Sequence, residues 1–381
     1  MAEAMNYIDR LVAELCPDGV DFYTIDELIT LDFGTRITKS KDAGTIYPVY
    51  GGGGASFRTD NYNREDKYVV SRFAMSEKCV RYVSGKFWML DSGFTYSVKD
   101  ESLLSYKYIS YWLLNAQQEI YACASQSAQR NLKTAEFKRF EVPVPPMQVQ
   151  EAIVEILDKF TNLEAELEAE LEARTLQYEY YRDSLFETLD CPRNPLGSFA
   201  QYSKDRKKDD STVSVYVGVE NLKSDFQGCA PTESTNPGVI FRKGDILLGN
   251  IRPYLKKMWR ADSNGVASPD VLVIRILDEF SEKISSRYLY HLLASNEFVG
   301  YNVAHSRGGK MPRGNKAKIL EFEVPVPSLE EQQRIVDILD RFDALTTSLS
   351  EGLPAELAAR RSQYEYYRDQ LLTFPRKGEN Q

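Results

Sequence analysis

The chain has 381 residues, of which 43% are hydrophobic and 27% charged, a composition typical of a folded protein with about two domains. Its formal net charge of −9 excludes a histone-like basic protein, and no stretch approaches the roughly 18 apolar residues of a membrane span. Five cysteines without a Cys-x-x-Cys pair and only two histidines argue against a zinc ribbon or a histidine metal site. We therefore expect a protein of a reducing compartment that lacks a signal peptide.

Residues 1–145 predict a mixed α/β domain that begins with a short helix. Short β-rich runs such as 67–71 alternate with turn signals such as the four glycines 51–54, and one helix is expected at 106–118. The domain ends in Phe-Glu-Val-Pro-Val-Pro at 140–145. Because proline restricts its own backbone and that of the preceding residue, this segment predicts an extended exit strand.

Residues 146–190 predict one helix of about 40 residues, or about 60 Å. Apolar or aromatic residues, with Arg174 the exception, recur in steps of three and four from 153 to 185, which is the spacing of one helix face. A stripe of this length requires a partner helix. The segment has a net charge of −9 and repeats Leu-Glu-Ala-Glu almost three times at 163–173; this acidic run predicts a solvated face that repels phosphates.

The second half of the chain repeats the first. Residues 322–327 duplicate 140–145 letter for letter, and the heptapeptide Gln-Tyr-Glu-Tyr-Tyr-Arg-Asp at 177–183 returns at 363–369. The offset grows from 182 to 186 residues between these blocks, so the second copy holds four extra residues. The repeat predicts a second mixed domain at 191–327 and a second long helix at 328–381. In this helix Glu-Gly-Leu-Pro at 351–354 predicts a kink or a short break.

We therefore predict an α+β protein built as a tandem duplication of a mixed α/β domain. A long helix follows each domain, and the two helices are expected to pair antiparallel as a coiled coil. The residues expected to pack this helix pair or to face a partner are Ile156, Phe160, Leu163, Leu167, Leu171, Tyr178, Tyr181, Ile338, Phe342, Leu345, Leu349, Tyr364 and Tyr367.

Loops of the two domains carry Arg, Lys, Gln and Asn among glycines and serines. Such side chains contact phosphates and make bidentate hydrogen bonds to base edges. The alternative for any one of these loops, taken alone, is an ordinary charged loop. The first domain has a net charge of −2 and the second of +5. The candidate DNA-contacting residues are Arg36, Lys39, Lys41, Arg72, Gln129, Arg130, Lys204, Arg206, Lys207, Asn250, Arg252, Arg307, Lys310 and Arg313.

Motifs of several catalytic classes are missing from the sequence. It contains no Asp/Asn-Pro-Pro-aromatic tetrapeptide of an adenine methyltransferase and no G-x-x-x-x-G-K-[ST] phosphate loop. The four glycines at 51–54 do not follow a G-x-G-x-x-G helix pattern, so they predict a turn or a DNA-facing loop. We predict no catalytic residue and no metal site in this chain.

The order of these parts resembles the specificity subunit of type I restriction–modification enzymes. The resemblance rests on two variable domains that each end in Phe-x-Val-Pro-Val-Pro and precede a Gln-x-x-Ile-Val-x-Ile-Leu-Asp helix. Residues 145–150 and 327–332 are similar to the starts of the family's two conserved helices. Ser-Pro-Asp at 268–270 resembles a feature of the family's target-recognition domains, and Ser-Gly-Phe at 92–94 departs from it.

The resemblance implies a non-catalytic subunit whose two target-recognition domains, 1–145 and 191–327, each read one half of a bipartite double-stranded DNA target. It also implies that conserved helical spacers at 146–190 and 328–381 dock methyltransferase subunits, two in number, and set the spacer between the half-sites. Restriction (translocase) subunits would join afterwards. S-adenosylmethionine, Mg²⁺ and ATP would be bound by the partner subunits and no cofactor by this chain, in the cytoplasm of a bacterium or archaeon. Two alternatives are a non-enzymatic scaffold with two ligand-reading domains and a fused restriction–methylation enzyme, which would need a methyltransferase motif.

Overall fold

The computed structural model describes residues 2–126, 129–207, 212–347 and 352–378. The chain divides into two compact units: unit 1 comprises Met1–Ala165 and Ala359–Gln381, and unit 2 comprises Glu166–Ala358. Each unit therefore contains one globular domain, the beginning of the helical segment that follows this domain, and the end of the other helical segment.

Unit 1 is built on a six-stranded sheet with helices packed against it. Its strands are β1 (Asp21–Thr24), β2 (Ile29–Phe33), β3 (Tyr47–Gly51), β4 (Gly54–Thr59), β5 (Arg64–Ser71), β6 (Val80–Met89), β7 (Gly93–Val98) and β8 (Glu141–Val144). Its helices are α1 (Ala2–Leu15), α2 (Ile25–Leu28), α3 (Lys39–Asp42), α4 (Tyr106–Asn115), α5 (Gln117–Ala122), α6 (Thr134–Phe137) and the beginning of α7 (Met147–Glu187). The sheet order is β2-β7-β5-β6-β3-β4, and all neighbouring pairs are antiparallel except the parallel pair β3–β6.

The core of unit 1 lies between this sheet and α4. Val70 of β5 and Phe94 and Tyr96 of β7 are fully buried in one cluster with Tyr108 and Ile109 of α4. These β-branched and aromatic residues suit a half-buried pleated surface. The sheet therefore holds the loops at its ends on a rigid support.

Unit 2 contains two large sheets and one two-stranded sheet. Its strands are β9 (Arg193–Pro195), β10 (Ala200–Tyr202), β11 (Arg206–Lys207), β12 (Ser214–Val217), β13 (Thr232–Ser234), β14 (Gly238–Phe241), β15 (Ile246–Gly249), β16 (Met258–Arg260), β17 (Gly265–Ala267), β18 (Val271–Ile276) and β19 (Glu323–Pro325). Its helices are the end of α7, α8 (Ser286–Leu293), α9 (Asn296–Ala304), α10 (Lys316–Glu321), α11 (Leu329–Thr347) and the beginning of α12 (Leu353–Leu371). The two large sheets have the orders β10-β18-β15-β16 and β11-β14-β17-β12-β13.

Strands β15 and β18 contribute to two cores at once. Leu247 and Val273 pack into one apolar cluster with residues of the five-stranded sheet. Their neighbours Leu248, Leu272 and Ile274 face the opposite side and pack with α8. A strand buried on both faces reads as a continuous apolar run rather than an alternating one, which explains the run that predicted a strand at 271–274.

Both Val-Pro-Val-Pro segments form extended exit strands, as predicted. Strand β8 pairs with β1, and β19 pairs with β9. The hydroxyl of Tyr108 donates to the carbonyl of Pro143 (3.0 Å), and that of Tyr288 donates to Pro325 (2.8 Å). The two tyrosines are therefore equivalent, which extends the repeat into helices α4 and α8.

A buried glutamine fixes the start of each conserved helix to its domain. Gln150 of α7 and Gln332 of α11 are completely buried. Gln332 Oε1 accepts from the Ser285 amide (2.9 Å), and its Nε2 donates to the carbonyls of Lys283 and Pro327 (both 2.9 Å). Gln150 makes the same three contacts with the equivalent residues of unit 1. Because a buried amide is costly to leave unpaired, these bonds orient each helix on its domain.

The first long helix is continuous, and the second is divided. Helix α7 has 41 residues, close to the predicted length, whereas α11 and α12 have 19 residues each. A Cβ added to Gly352 would lie 2.6 Å from the carbonyl oxygens of both Ala344 and Leu345. In a continuous helix residues eight positions apart are separated by about 12 Å. The chain therefore turns back at Gly352, and the predicted break is confirmed.

Within each unit, the beginning of one conserved helix pairs with the end of the other. In unit 1 the Phe160 ring lies 6.0 Å from Tyr364 and 5.7 Å from Tyr367, and Arg361 donates to Glu164 (2.6 Å). The partner numbers fall as the α7 numbers rise, so the two helices run antiparallel.

The equivalent contact in unit 2 joins Phe342 of α11 to the end of α7. Its ring stacks with Tyr178 at 6.3 Å and with Tyr181 at 5.6 Å. These positions are among those that the sequence predicts to pack the helix pair. The predicted fold class, with its paired helices, is confirmed.

The residues of the predicted helix stripe differ in burial. Ile156, Phe160 and Tyr178 are buried, whereas Leu163, Tyr181 and Leu345 each expose more than a third of their surface. The half-buried members are Leu167, Leu171, Ile338, Phe342, Tyr364 and Tyr367. Leu349 lies outside the described residues. The stripe thus packs the helix pair at some positions and leaves apolar surface open at others.

Candidate nucleic-acid interface

Each domain carries a hairpin at the same place in the repeat. In unit 1 the Ser125 amide donates to the Asn131 carbonyl (2.9 Å). In unit 2 Arg307 and Arg313 exchange both main-chain hydrogen bonds (2.9 and 2.8 Å). The offset between these pairs is 182 residues, the offset of the duplicated exit strands. The hairpin of unit 1, described at 125–126 and 129–132, is therefore equivalent to hairpin 307–314 of unit 2, although their side chains differ almost throughout.

Both hairpins are tied to the loop that follows a central strand. In unit 1 the Leu132 amide donates to the carbonyl of Arg72 (2.8 Å), which directly follows β5. In unit 2 the Gly314 amide donates to the carbonyl of Asn250 (3.1 Å), which directly follows β15. We call each combination of a hairpin and its strand-end loop a loop cluster: 72–75 with 125–126 and 129–132, and 250–252 with 307–314.

The loop cluster of unit 1 holds two of the predicted arginines over aromatic rings. The guanidinium carbon of Arg72 lies 5.0 Å from the Phe33 ring centre and 4.7 Å from that of Phe73. That of Arg130 lies 4.5 Å from the Tyr121 ring centre. Such cation–π contacts restrict the arginine while its charge stays unneutralised. Gln129 is exposed on the same hairpin.

The segment that carries Arg36, Lys39 and Lys41 follows Phe33, whose ring contacts Arg72. The Thr35 amide donates to the Met89 carbonyl (2.9 Å), and the Arg72 amide donates to the nearby Ser92 carbonyl (2.9 Å). All three cationic side chains are exposed. Arg36 therefore lies close to the loop cluster, whereas the segment continues past Lys39 and Lys41 to Gly44, whose amide donates to the Arg58 carbonyl of β4 (2.7 Å).

The four glycines at 51–54 form the turn between β3 and β4, as predicted. A Cβ on Gly52 would lie 1.9 Å from the Phe73 carbonyl oxygen, so only glycine fits against this loop. The Arg81 guanidinium donates to the carbonyls of Gly51 (2.6 Å) and Gly52 (3.4 Å), and burial lowers its pKa. Arg81, which the sequence did not nominate, therefore fixes the glycine turn that packs against Phe73 of the loop cluster.

In unit 2 the loop cluster brings together Arg252, Arg307, Lys310 and Arg313, all exposed. Arg252 has a positive φ of 52°, and its amide donates to the Pro312 carbonyl (2.7 Å). A non-glycine residue in this region is uncommon and marks a position fixed by its surroundings. Arg313 pairs with Asp270 (3.0 Å), whereas Lys310 lies at the hairpin tip.

Asn250 does not fit its predicted role in this structure. Only 6% of the residue is exposed, and its side-chain oxygen faces the Gly314 Cα together with that of buried Asn302. Asn250 is therefore a structural residue that holds the hairpin and is not placed to contact a base. The sequence places Asn250 among the polar loop residues, but it continues directly from the buried strand β15.

The other predicted cations of unit 2 lie on or beside β11. Lys204 and Arg206 are exposed, Lys207 is half-buried, and β11 pairs with β14. Lys207 donates to the Thr212 carbonyl. Within the described residues, no hydrogen bond or ion pair joins the side chains of Lys204 and Arg206 to the loop cluster of unit 2. The neighbouring Asp205 accepts from Arg275 (3.0 Å), which also pairs with Asp245.

The described ranges contain no helix that is both long and apolar enough to span a membrane. In the same part of the chain, no group of three or more His, Cys, Asp or Glu side chains is placed to hold a metal ion. His291 lies 2.8 Å from Asp340, and its other ring nitrogen lies 3.4 Å from the Tyr178 hydroxyl. This row of side chains ties α8 to α11 and α7, which makes His291 a structural residue.

The fold and the two loop clusters define a protein with two related domains, each carrying a cationic surface at the end of a sheet, joined by paired helices. A family model for the type I restriction modification DNA specificity domain matches residues 17–173 and again 200–359. The chain therefore belongs to this family, as the sequence predicted. It is a non-catalytic DNA specificity subunit of the type I restriction–modification class, with two recognition domains.

Individual relatives agree with this assignment. The specificity subunit of the Escherichia coli type I restriction enzyme EcoR124I/EcoR124II is 28% identical over 405 aligned residues, which cover 98% of each chain. The crystal structure of the S subunit of a type I system from M. genitalium matches with a TM-score of 0.59 at 19% identity, over 93% of this chain and 96% of that chain. A chain from a type I restriction–modification system studied for its assembly matches with a TM-score of 0.60 at 12% identity, over 93% and 98%. These two structures share the fold of this chain.

Proposed function

We propose that each domain reads one half of a bipartite double-stranded DNA target through its loop cluster. The observation that carries this proposal is the equivalence of the two hairpins. Each is fixed by main-chain bonds to a strand-end loop and presents cationic side chains. Main-chain anchoring with divergent side chains is the arrangement expected of two readers that share a scaffold and recognise different bases.

The candidate contact residues have different proposed roles. Exposed lysines such as Lys39, Lys41 and Lys310 suit phosphate contacts, and the arginines of the loop clusters suit base edges. The first domain has a net charge of −2 and the second +5, so nonspecific attraction to DNA is expected to come mainly from the second domain and from partner subunits.

We propose that the conserved helices dock two methyltransferase subunits and set the distance between the half-sites. The exposed apolar residues Leu163, Tyr181 and Leu345 support a protein partner on these helices. In this proposal the functional boundaries are 1–145, 146–190, 191–327 and 328–381. Restriction subunits join the assembly. The partner subunits bind S-adenosylmethionine, Mg²⁺ and ATP, and the complex acts in the cytoplasm of a bacterium or archaeon.

The test is to co-express the chain with its methyltransferase subunit and to map methylated sites in the host genome. The proposal expects a motif of two specific segments separated by a nonspecific spacer. Filter binding of the chain with and without the methyltransferase subunit should show DNA retention that falls with salt. A scaffold that reads another ligand would give neither a motif nor retention, and either absence would contradict the proposal.

A further inference from the structure

Arg72 is positioned differently from most arginines of unit 1. Its guanidinium lies over the Phe33 and Phe73 rings, at 5.0 and 4.7 Å. Within the described part of the chain, it makes no side-chain hydrogen bond and no ion pair. By contrast, the N–H groups of Arg64 are used by Thr95 and by three main-chain carbonyls. Arg72 is thus held in place by aromatic rings, while its N–H donors stay available to a ligand.

A planar guanidinium with available N–H groups is suited to two acceptors in one plane. Guanine presents O6 and N7 in this way in the major groove, and bidentate contact by arginine is the commonest specific pairing. The rings reduce the side-chain entropy that Arg72 would lose on binding. A phosphate also accepts two hydrogen bonds from one arginine, and the experiment below distinguishes this contact from a base contact.

The position of Arg72 agrees with a reading role. Its carbonyl accepts from Leu132 of the hairpin, and its amide donates to Ser92, so the backbone is fixed on both sides (2.8 and 2.9 Å). Phe33 is 42% exposed, which places the arginine at the surface of the loop cluster. The residue is half-buried, as expected of a side chain that approaches a base rather than the solvated backbone of DNA.

We propose that Arg72 recognises a guanine in the half-site that unit 1 reads, donating two hydrogen bonds to the O6 and N7 atoms of the base. This inference rests on the proposed function and adds a base identity and a residue to it. Phe33 and Phe73 contact the guanidinium and act in this proposal through Arg72, which makes them positioning residues.

The experiment uses the assembled complex of the chain with its methyltransferase subunit and a library of duplexes with randomised bases. Bound duplexes are sequenced for the wild type, Arg72→Lys, Phe33→Leu/Phe73→Leu, and the control Arg139→Lys. Arg139 is exposed in the same unit and outside the loop cluster. Thermal melting and assembly with the methyltransferase subunit verify that each variant folds.

The proposal expects Arg72→Lys to reduce discrimination at one guanine of one half-site by at least about fivefold, with all other positions unchanged. The double leucine variant should weaken the same position, and Arg139→Lys should change none. A uniform loss of binding to all sequences would identify a phosphate contact and overturn the proposal. An unchanged motif in Arg72→Lys, or a half-site without guanine, would overturn it while the proposed function stands. If the wild type selects no motif at all, the proposed function itself is wrong.

Discussion

Replacing Gln332 by leucine tests whether the buried amide fixes the conserved helix to its domain. Leucine has a similar volume, so the packing is kept while three hydrogen bonds are lost. The Ser285 amide and the carbonyls of Lys283 and Pro327 would then lack their partner. Since an unsatisfied buried polar group costs about 1–3 kcal/mol, we expect the free energy of unfolding of unit 2 to fall by about 2–4 kcal/mol.

The assay is urea unfolding followed by tryptophan fluorescence. Of the three tryptophans only Trp259 lies in unit 2, packed 6.0 Å from the Phe241 ring, so a Trp88→Phe/Trp112→Phe background reports unit 2 alone. With a slope of about 2 kcal/mol/M, the midpoint should move by about 1–2 M. The matched control is Gln333→Leu, because Gln333 is exposed and, among the described residues, its side chain bonds only to Asp337 on its own helix. Its effect should stay within about 0.5 kcal/mol. Equal midpoints for the two variants would refute the reasoning.

Two further predictions concern the helices. Phe342→Asp should abolish assembly with the methyltransferase subunit in a pull-down, because it removes the ring that stacks on Tyr178 and Tyr181 and places a half-buried charge against them. Intact assembly would contradict the pairing surface. Insertion of one Leu-Glu-Ala-Glu unit after Glu170 lengthens α7 by about 6 Å. Since duplex DNA rises by about 3.4 Å per base pair, a methylation map should show the spacer between the half-sites widened by one or two base pairs. An unchanged spacer would show that α7 does not measure the gap.

The sequence predicted the parts of this fold that the duplication repeats. The stripe of apolar residues and the Val-Pro-Val-Pro segments gave the long helices and the exit strands, and Gly352 gave the break in the second helix. Periodicity and proline act locally, so a single sequence reports them. The acidic repeat at 163–173, which predicted a solvated helix face, lies within helix α7.

The loop clusters were only partly predictable. The sequence nominated Gln129 and Arg130 separately from Arg307, Lys310 and Arg313, but the equivalence of their hairpins rests on main-chain hydrogen bonds that leave no trace in side-chain identity. The contacts of Arg72 with Phe33 and Phe73 join β2 to the loop after β5, and no local pattern reports such a contact. Asn250 was misjudged because its burial depends on Gly314 and Asn302, which are distant in sequence.

The most direct test of two independent readers is the methylation map of a variant in one loop cluster. Arg252→Ala changes an exposed side chain of unit 2 and leaves unit 1 untouched. We predict that the wild-type motif keeps one half-site and the spacer, while discrimination in the other half-site falls by about fivefold or more at one position. Changes in both half-sites would contradict independent reading by the two domains.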